Sequence, residues 1–391
     1  MTSLRTLCLL GPLALLSITM QAQHDPASAP KPAPDVLVFT NGDQLTGHLE
    51  RASAGNVVFK SDMAGEITVS LSKVKEIHSA TKFAVLRKGP PGKDNFVAEG
   101  DIHIADGTIA VTSAQPPVTL ATKDLGYLVD TPTYDKQVGH HIGFTHGWNG
   151  TVTGGATLVR STQTSTTLTA GIALVRATPS VAFLPPHDRT TFNLTETYGK
   201  QTSPVIPPPP ADSDLPTSTQ VVSSIFHADA EQDRYFTPTL YALGDLSFDH
   251  NFSQGLQLQQ VYGGGIGWTP IKTAKQELDL KGDVHYEKQQ YLSTDPAVSP
   301  SPAVNLFGST FTENYTRSLP RKLVFTESGN YLPAWTESRA YSANVTATLA
   351  IPVYKRLSAS ISTTDNYLND PEPYYNRNSY QFVTGVSYTL H

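Results

Sequence analysis

From Glu277 to Glu287 the chain alternates without a break, and Lys275 keeps the same parity across Gln276. Lys275, Glu277, Asp279, Lys281, Asp283, His285 and Glu287 are polar or charged, and Leu278, Leu280, Gly282, Val284 and Tyr286 lie between them. A period of two belongs to a β-strand, whose successive side chains point to opposite faces. One face of this strand is wet and the other apolar. It is long for a soluble strand and suits a tilted membrane-crossing one, which needs about 9–11 residues.

The pattern recurs through the C-terminal part of the chain. Trp148, Gly150, Val152, Gly154, Ala156 and Leu158 share a face, as do Leu168, Ala170, Ile172 and Leu174. Leu240, Ala242, Gly244, Leu246 and Phe248 repeat it, and so do Tyr380, Phe382, Val386, Tyr388 and Leu390. Strands are predicted at 147–160, 164–178, 189–201, 219–232, 239–250, 256–269, 274–289, 305–318, 321–332, 338–351, 356–368 and 377–390, with the weakest alternation in 305–332. That makes twelve, an even number, as single-chain bacterial outer-membrane barrels have. No stretch beyond the N-terminus reaches the roughly 18 apolar residues of a spanning helix, so a membrane-embedded form must satisfy its backbone by closing a barrel. The fold class expected is all-β: an antiparallel transmembrane β-barrel of about 12 strands, preceded by small periplasmic SH3-like β-modules.

The first residues read as a signal peptide over 1–22. Arg5 precedes an apolar run from Leu7 to Ile18, with cleavage expected after Ala22. Cys8, the only cysteine, lies in that run, so the mature chain is expected to have neither a disulfide nor a thiolate nucleophile. Residues 23–34 form a Pro/Ala-rich leader. A β-module is predicted over 35–80, opening at Asp35–Phe39 and turning at Asn41-Gly42, a hairpin signal. A second copy is expected over 81–130: Gly100-Asp101-Ile102-His103 matches Gly47-His48-Leu49-Glu50, and Leu125–Val129 matches the closing strand of the first. The two read either as small SH3-like barrels or as one fused β-domain. Residues 131–146 form a linker, and 147–391 the barrel.

If the modules stay in the periplasm, the first barrel strand runs outward. The long connections at 202–218 and 290–304 then lie outside, and the short ones at 319–320 and 352–355 lie inside, as such barrels prefer. The connection at 179–188 is longer than this rule favours. Composition agrees with the picture. Charged residues are 16% of the chain, against about 25% in an average soluble domain. A net charge of −6 argues against a nucleic-acid partner, whose phosphates need a basic surface.

The run Phe39-Thr-Asn-Gly-Asp-Gln-Leu-Thr-Gly47, together with Leu246-Ser-Phe-Asp249, Gly263-Gly-Gly-Ile-Gly-Trp268 and Leu278–Tyr286, resembles the salt-induced outer-membrane proteins, domain-of-unknown-function family 481. The resemblance implies an outer-membrane barrel linked to envelope or osmotic stress, no established enzymatic activity and no catalytic residue to carry over. The chain departs from such barrels at its last residue: they usually end in Phe or Trp, and here His391 follows Leu390.

By parity, His227, Asp229, Glu231, Asp233, Asp245, Asp249, Lys275, Glu277, Asp279, Lys281, Asp283, His285 and Glu287 face the lumen. A charge facing lipid near mid-depth costs up to about 2–4 kcal/mol. Two readings follow. The lumen is an acidic aqueous passage favouring cations, or it is plugged, its charges paired across strands, Lys281 with acidic neighbours for instance. His140, His141 and His146 read as a solvated linker and not a metal site. Gly263, Gly265 and Gly267 read as close packing or a bend. Trp268, Tyr262, Tyr354, Tyr374, Tyr375 and Tyr388 read as an interfacial girdle. No cofactor or metal is expected. The partners expected are outer-membrane lipids, the barrel-assembly machinery, and ions or small solutes. Rival readings are a barrel hydrolase and a structural or adhesive envelope protein. The hydrolase would need a nucleophile, a base and an orienting group together, and the chain shows no Gly-x-Ser-x-Gly elbow.

Overall fold

The computed structural model describes residues 34–53, 55–89, 95–112, 117–138, 143–160, 164–181, 183–205, 215–292, 303–371 and 375–390. The expectations for residues 1–33, Cys8, His140, His141, Tyr374 and His391 lie outside the described residues.

The N-terminal part is one nine-stranded sheet. Its strands are β1 (Asp35–Phe39), β2 (Gln44–Ser53), β3 (Asn56–Ser61), β4 (Gly65–Ser70), β5 (Val74–Arg87), β6 (Phe96–Ala105), β7 (Thr108–Val111), β8 (Val118–Ala121) and β9 (Leu125–Asp130). The repeat seen in the sequence is structural: each half ends in a short strand, a 3-10 turn (Leu71–Lys73, then Thr122–Asp124) and a closing strand. The halves are fused. β5 runs unbroken across residue 80, so the module boundary drawn there falls inside a strand. β9 closes onto both β2 and β5. One core follows, in which Leu37, Phe59 and Ile77 of the first half and Phe83, Ile102, Ile109 and Leu128 of the second are buried together.

The remaining strands are β10 (Trp148–Arg160), β11 (Thr164–Thr178), β12 (Asp188–Pro204), β13 (Ser218–Tyr235), β14 (Leu240–Asn251), β15 (Leu256–Lys272), β16 (Gln276–Tyr291), β17 (Val304–Ser318), β18 (Val324–Pro333), β19 (Tyr341–Tyr354), β20 (Leu357–Leu368) and β21 (Asn378–Leu390). Each pairs antiparallel with the next, and β21 pairs back onto β10, so the barrel is closed with twelve strands. Closure gives every strand two neighbours in the ring, the seam between β10 and β21 being paired over Gly150–Gly154 and Val386–Leu390. The weak alternation in 305–332 has a local cause. Ser309, Glu313, Arg317 and Glu327 share the outward parity of Phe311, Tyr315 and Tyr331, so polar residues interrupt the apolar face.

The outward face is mainly apolar. Leu168, Ile266, Val284, Phe311 and Phe382 are exposed along it. Aromatic residues mark both ends: Trp268, Tyr354 and Tyr388 toward the end where the N-terminal sheet joins, and Tyr198, Tyr331 and Tyr380 toward the far end. Tyr375 belongs to a packed turn instead, lying over Gly255, whose φ of +74° closes the β14–β15 connection.

The connections at the two ends differ. At the far end the strands are joined across 161–163, 205–217, 252–255, 292–303, 334–340 and 369–377, two of these the longest in the barrel, and at the near end across 179–187, 236–239, 273–275, 319–323 and 355–356. The near-end connection at 179–187 is long because it is docked. Val181 and Leu184 are buried against Leu86 and Val129 of the N-terminal sheet. The guanidinium of Arg51 lies 5.3 Å from the ring centre of Phe183.

Candidate functional site

The lumen is built from two unlike walls. β12 to β17 carry the charged one. At its near end, Arg189 on β12 donates through Nε to Asp233 (2.5 Å) and through Nη2 to Asp279 (2.8 Å). Asp279 also accepts from the Tyr241 hydroxyl (2.8 Å) and from Thr269 Oγ1 (2.9 Å). The guanidinium carbon lies 5.0 Å from the ring centre of Tyr241 and 5.7 Å from that of Tyr235, within cation–π range. Asp233, Tyr235 and Tyr241 are buried, and Glu277 stays partly open at the rim, 3.9 Å from Arg189 Nη1.

Further along, Lys281 donates to Glu231 at 2.5 Å. His227 sits between two carboxylates, with Nδ1 at 2.5 Å from Asp249 and Nε2 at 2.9 Å from Asp229. Asn193 donates to the other oxygen of Asp229 at 3.0 Å. His285 repeats the arrangement on β16: Nδ1 lies 3.1 Å from Asp283, and Nε2 lies 3.7 Å from Glu287. Gln289 donates to Glu287 at 2.7 Å. The cross-strand pairing weighed from the sequence is thus present along this wall, including Lys281 with an acid.

Three glycines make room for it. A Cβ at Gly263 would lie 2.7 Å from the Asp245 carboxylate, and one at Gly267 would lie 2.1 Å from the Tyr241 ring. At Gly265 it would meet the Gly282 carbonyl oxygen at 2.1 Å. The alternating glycines of β15 are therefore a packing device: their missing side chains let neighbouring residues lie flat against the strand.

The other wall, from β17 round to β12, carries hydroxyls and amides. Thr346 and Thr364 bond at 3.0 Å, Thr348 and Ser362 at 2.9 Å, and Ser328 donates to Asn314 at 2.7 Å. Asn344 donates to Asn366. Thr153, Thr169 and Thr195 share the face of Gly155 and Gly171, and the register continues this face to Asn193 beside Asp229. Thr153, Thr157 and Thr195 are exposed although they point inward. Side chains therefore do not fill this side of the lumen.

Most of the sequence-predicted site residues meet along the charged wall. Lys275 does not: it lies exposed in the turn before β16, its carbonyl accepting from Ser318 N at 2.8 Å. The strand begins two residues later than expected because Thr273 Oγ1 bonds the backbone amides of Lys275 and Gln276 and holds them in the turn. Asp245 lies over Gly263, and its Oδ1 is buried without a hydrogen-bond partner. Arg189, Tyr235, Tyr241, Thr269 and Asn193 were not singled out from the sequence. Parity on β12, where Arg189, Thr191 and Asn193 alternate with Thr190, Phe192 and Leu194, carries the signal for Arg189 and Asn193. Of the linker histidines, His146 is described, and its Nδ1 is 3.3 Å from Thr145 Oγ1. Among the described residues no group of His, Cys, Asp or Glu is arranged to hold a metal ion.

Residues 152–390 match a protein family described as "Protein of unknown function, DUF481". No curated protein matches the chain. Among solved structures, the chain is similar to an outer membrane channel from Pseudomonas putida F1, at 9% identity and a TM-score of 0.33 over 62% of this chain and 95% of that one. It is also similar to the transport unit of the autotransporter AIDA-I from Escherichia coli, at 9% identity and a TM-score of 0.31 over 66% and 97%. A third likeness is to the CymD monoaromatic hydrocarbon channel, at 7% identity and a TM-score of 0.27 over 81% and 88%. Likeness at this level carries no function across, and the barrel is read from its own strand pairing.

Proposed function

The chain belongs to the DUF481 family of proteins of unknown function, and from the barrel it carries we propose that it is an outer-membrane protein forming a narrow, weakly cation-selective aqueous passage. A closed barrel with an apolar outside and aromatic residues at both ends suits a bilayer. In this reading residues 35–130 lie in the periplasm, on the side of the short connections, and outer-membrane lipids and the barrel-assembly machinery are its partners.

One observation carries the passage: the inward-facing Thr153 and Thr157 are exposed on the uncharged wall, and Thr195 is exposed where that wall meets His227 and the carboxylates. Twelve strands fall between the roughly eight that side chains can fill and the 16 that leave a wide channel. The network around Arg189 occupies part of the cross-section, which makes the passage narrow. Its selectivity follows from an imbalance. Asp229, Glu231, Asp233, Asp245, Asp249, Glu277, Asp279, Asp283 and Glu287 outnumber Arg189, Lys281, His227 and His285 on the same wall. The side chains of Asp229, Asp249 and Glu277 are 26%, 28% and 42% exposed, so their charge reaches the water. Such a lumen concentrates cations and disfavours anions. The preference weakens with salt, because the Debye length falls from about 10 Å at 0.1 M to about 3 Å at 1 M.

The test is ion conductance of the refolded protein in a planar bilayer, with reversal potentials under a KCl gradient. Weak cation selectivity at low salt is expected, reduced by Asp229→Asn together with Asp249→Asn. Absence of conductance, or anion selectivity, would refute the passage and leave a plugged barrel with a structural role.

A further inference from the structure

Glu196, Ser224 and His250 lie on three different strands, each on the outward parity. Glu196 shares its face with Leu194 and Tyr198, Ser224 with Val222 and Phe226, and His250 with Phe248. The strand register brings them together. Glu196 is paired with Phe226, Phe226 with His250, and Ser224 with Tyr198. Ser224 Oγ then donates to Glu196 Oε1 at 2.7 Å and lies 2.7 Å from His250 Nε2. Glu196 Oε2 is 3.9 Å from the same Nε2. The imidazole is stacked between two rings, with centres 5.4 Å from Phe226 and 4.7 Å from Phe252 and interplanar angles of 26° and 15°.

The trio sits on the outer wall toward the far end of the barrel. His250 is two residues before the turn that begins at Phe252, and the exposed apolar side chains of Leu168 and Tyr198 flank Glu196 and Ser224. An ionisable pair at such a position is costly beside lipid, and an apolar residue on each strand would suit the belt better. What the three provide is a serine hydroxyl with an imidazole and a carboxylate in direct reach, opening onto the acyl region of whatever amphiphile lies against the barrel. Nucleophile and base within about 2.6–3.2 Å is the geometry that serine acyl transfer requires.

We infer that Ser224, His250 and Glu196 form an ester-hydrolysing site on the outer wall, with the acyl ester of a lipid-like amphiphile as substrate. Ser224 turns its hydroxyl from Glu196 Oε1 to the unprotonated Nε2 of His250, and Oγ attacks the ester carbonyl carbon while that proton passes to Nε2. The carbon–oxygen bond to the leaving alcohol breaks, and the alcohol departs with that proton. Water then adds to the acyl-serine, His250 takes a proton from it, and Ser224 Oγ leaves as the hydroxyl with the fatty acid released. Glu196, at ion-pair distance from Nε2, stabilises the imidazolium formed in both steps. The stacked Phe226 and Phe252 hold the ring in place, the task that a carboxylate on Nδ1 performs in the familiar triad.

The hydrolase weighed from the sequence lacked a way to bring rim residues together; pairing across β12, β13 and β14 supplies it. The test uses the refolded full chain in detergent micelles, with a fluorophosphonate probe and with p-nitrophenyl esters of butyrate and laurate. Expected are probe attachment at Ser224, hydrolysis of laurate faster than of butyrate, and loss of both activities in Ser224→Ala. His250→Ala should slow hydrolysis by about 10²–10⁴-fold, the usual contribution of a general base. Heat-modifiable gel migration shows whether each variant is folded. Folded wild-type protein that neither reacts with the probe nor hydrolyses either ester, or labelling that persists in Ser224→Ala, would overturn the proposal. Either result leaves the conductance reading untouched.

Discussion

Replacing Arg189 with leucine removes the cation at the near end of the charged wall. Its side chain is 13% exposed, and that of its partner Asp233 is fully buried. The two carboxylates it serves are not affected equally. Asp279 keeps the Tyr241 hydroxyl and Thr269 Oγ1. Asp233 loses the guanidinium bond on Oδ2, and its Oδ1 is already without a partner. Removing one member of a buried ion pair costs about 3–5 kcal/mol, because the other charge is left uncompensated. The lost cation–π contact with Tyr241, worth about 0.5–2 kcal/mol, is part of that cost. At about 1.4 kcal/mol per decade, the folded-to-unfolded ratio should fall by about 10²–10⁴-fold. Arg189→Leu combined with Asp233→Leu should recover most of the loss, since an apolar pair in place of a buried ion pair is often neutral. Urea titration of folding into lipid vesicles measures this. Tryptophan fluorescence follows it, because Trp148, Trp268 and Trp335 all lie in the barrel region. A loss under about 1 kcal/mol for Arg189→Leu, or a double variant less stable than the single one, would refute the claim that the charge pair is buried and mutually dependent.

Gly267→Ala should destabilise the barrel by about 1–3 kcal/mol through collision with the Tyr241 ring, whereas Gly264→Ala, whose Cβ has only the Leu243 carbonyl oxygen nearby at 3.6 Å, should change little; the same titration separates them. Val284→Arg, exposed at mid-strand, should cost about 2–4 kcal/mol in vesicles. Leu280→Arg should cost less because Glu313 is its cross-strand partner, and equal losses would show that this pairing is ineffective. Val181→Asp together with Leu184→Asp should release the N-terminal sheet from the β11–β12 connection and raise hydrogen exchange at Leu86 and Val129, leaving the barrel protected; unchanged exchange would mean that the docked contact is not what orders this region. Protease added to intact cells should cut the chain in 202–218 and spare 35–130, and cleavage within 35–130 would reverse the proposed orientation.

Much of this molecule was readable in the sequence because a strand's pattern is local. A period of two needs only neighbouring residues, so the twelve barrel strands and the inward parity of the residues from Asp229 to Glu287 on β13, β14 and β16 emerge from a single pass along the chain. The repeat in residues 35–130 was visible for the same reason, as matching turns and closing strands. What depends on pairing was not readable. Arg189 reaches Asp279 across 90 residues, and nothing near either one announces the other. The glycines of β15 gain their meaning only when Tyr241 and Asp245 lie against them. The long connection at 179–187 broke the expected rule until its burial against Leu86 and Val129 explained it. Glu196, Ser224 and His250 read separately as stray polar positions on apolar faces, and Lys275 read as one more charge on a wet one. Parity along a strand says which way a side chain points. Register between strands says what it meets, and closure of the barrel decides which side holds water.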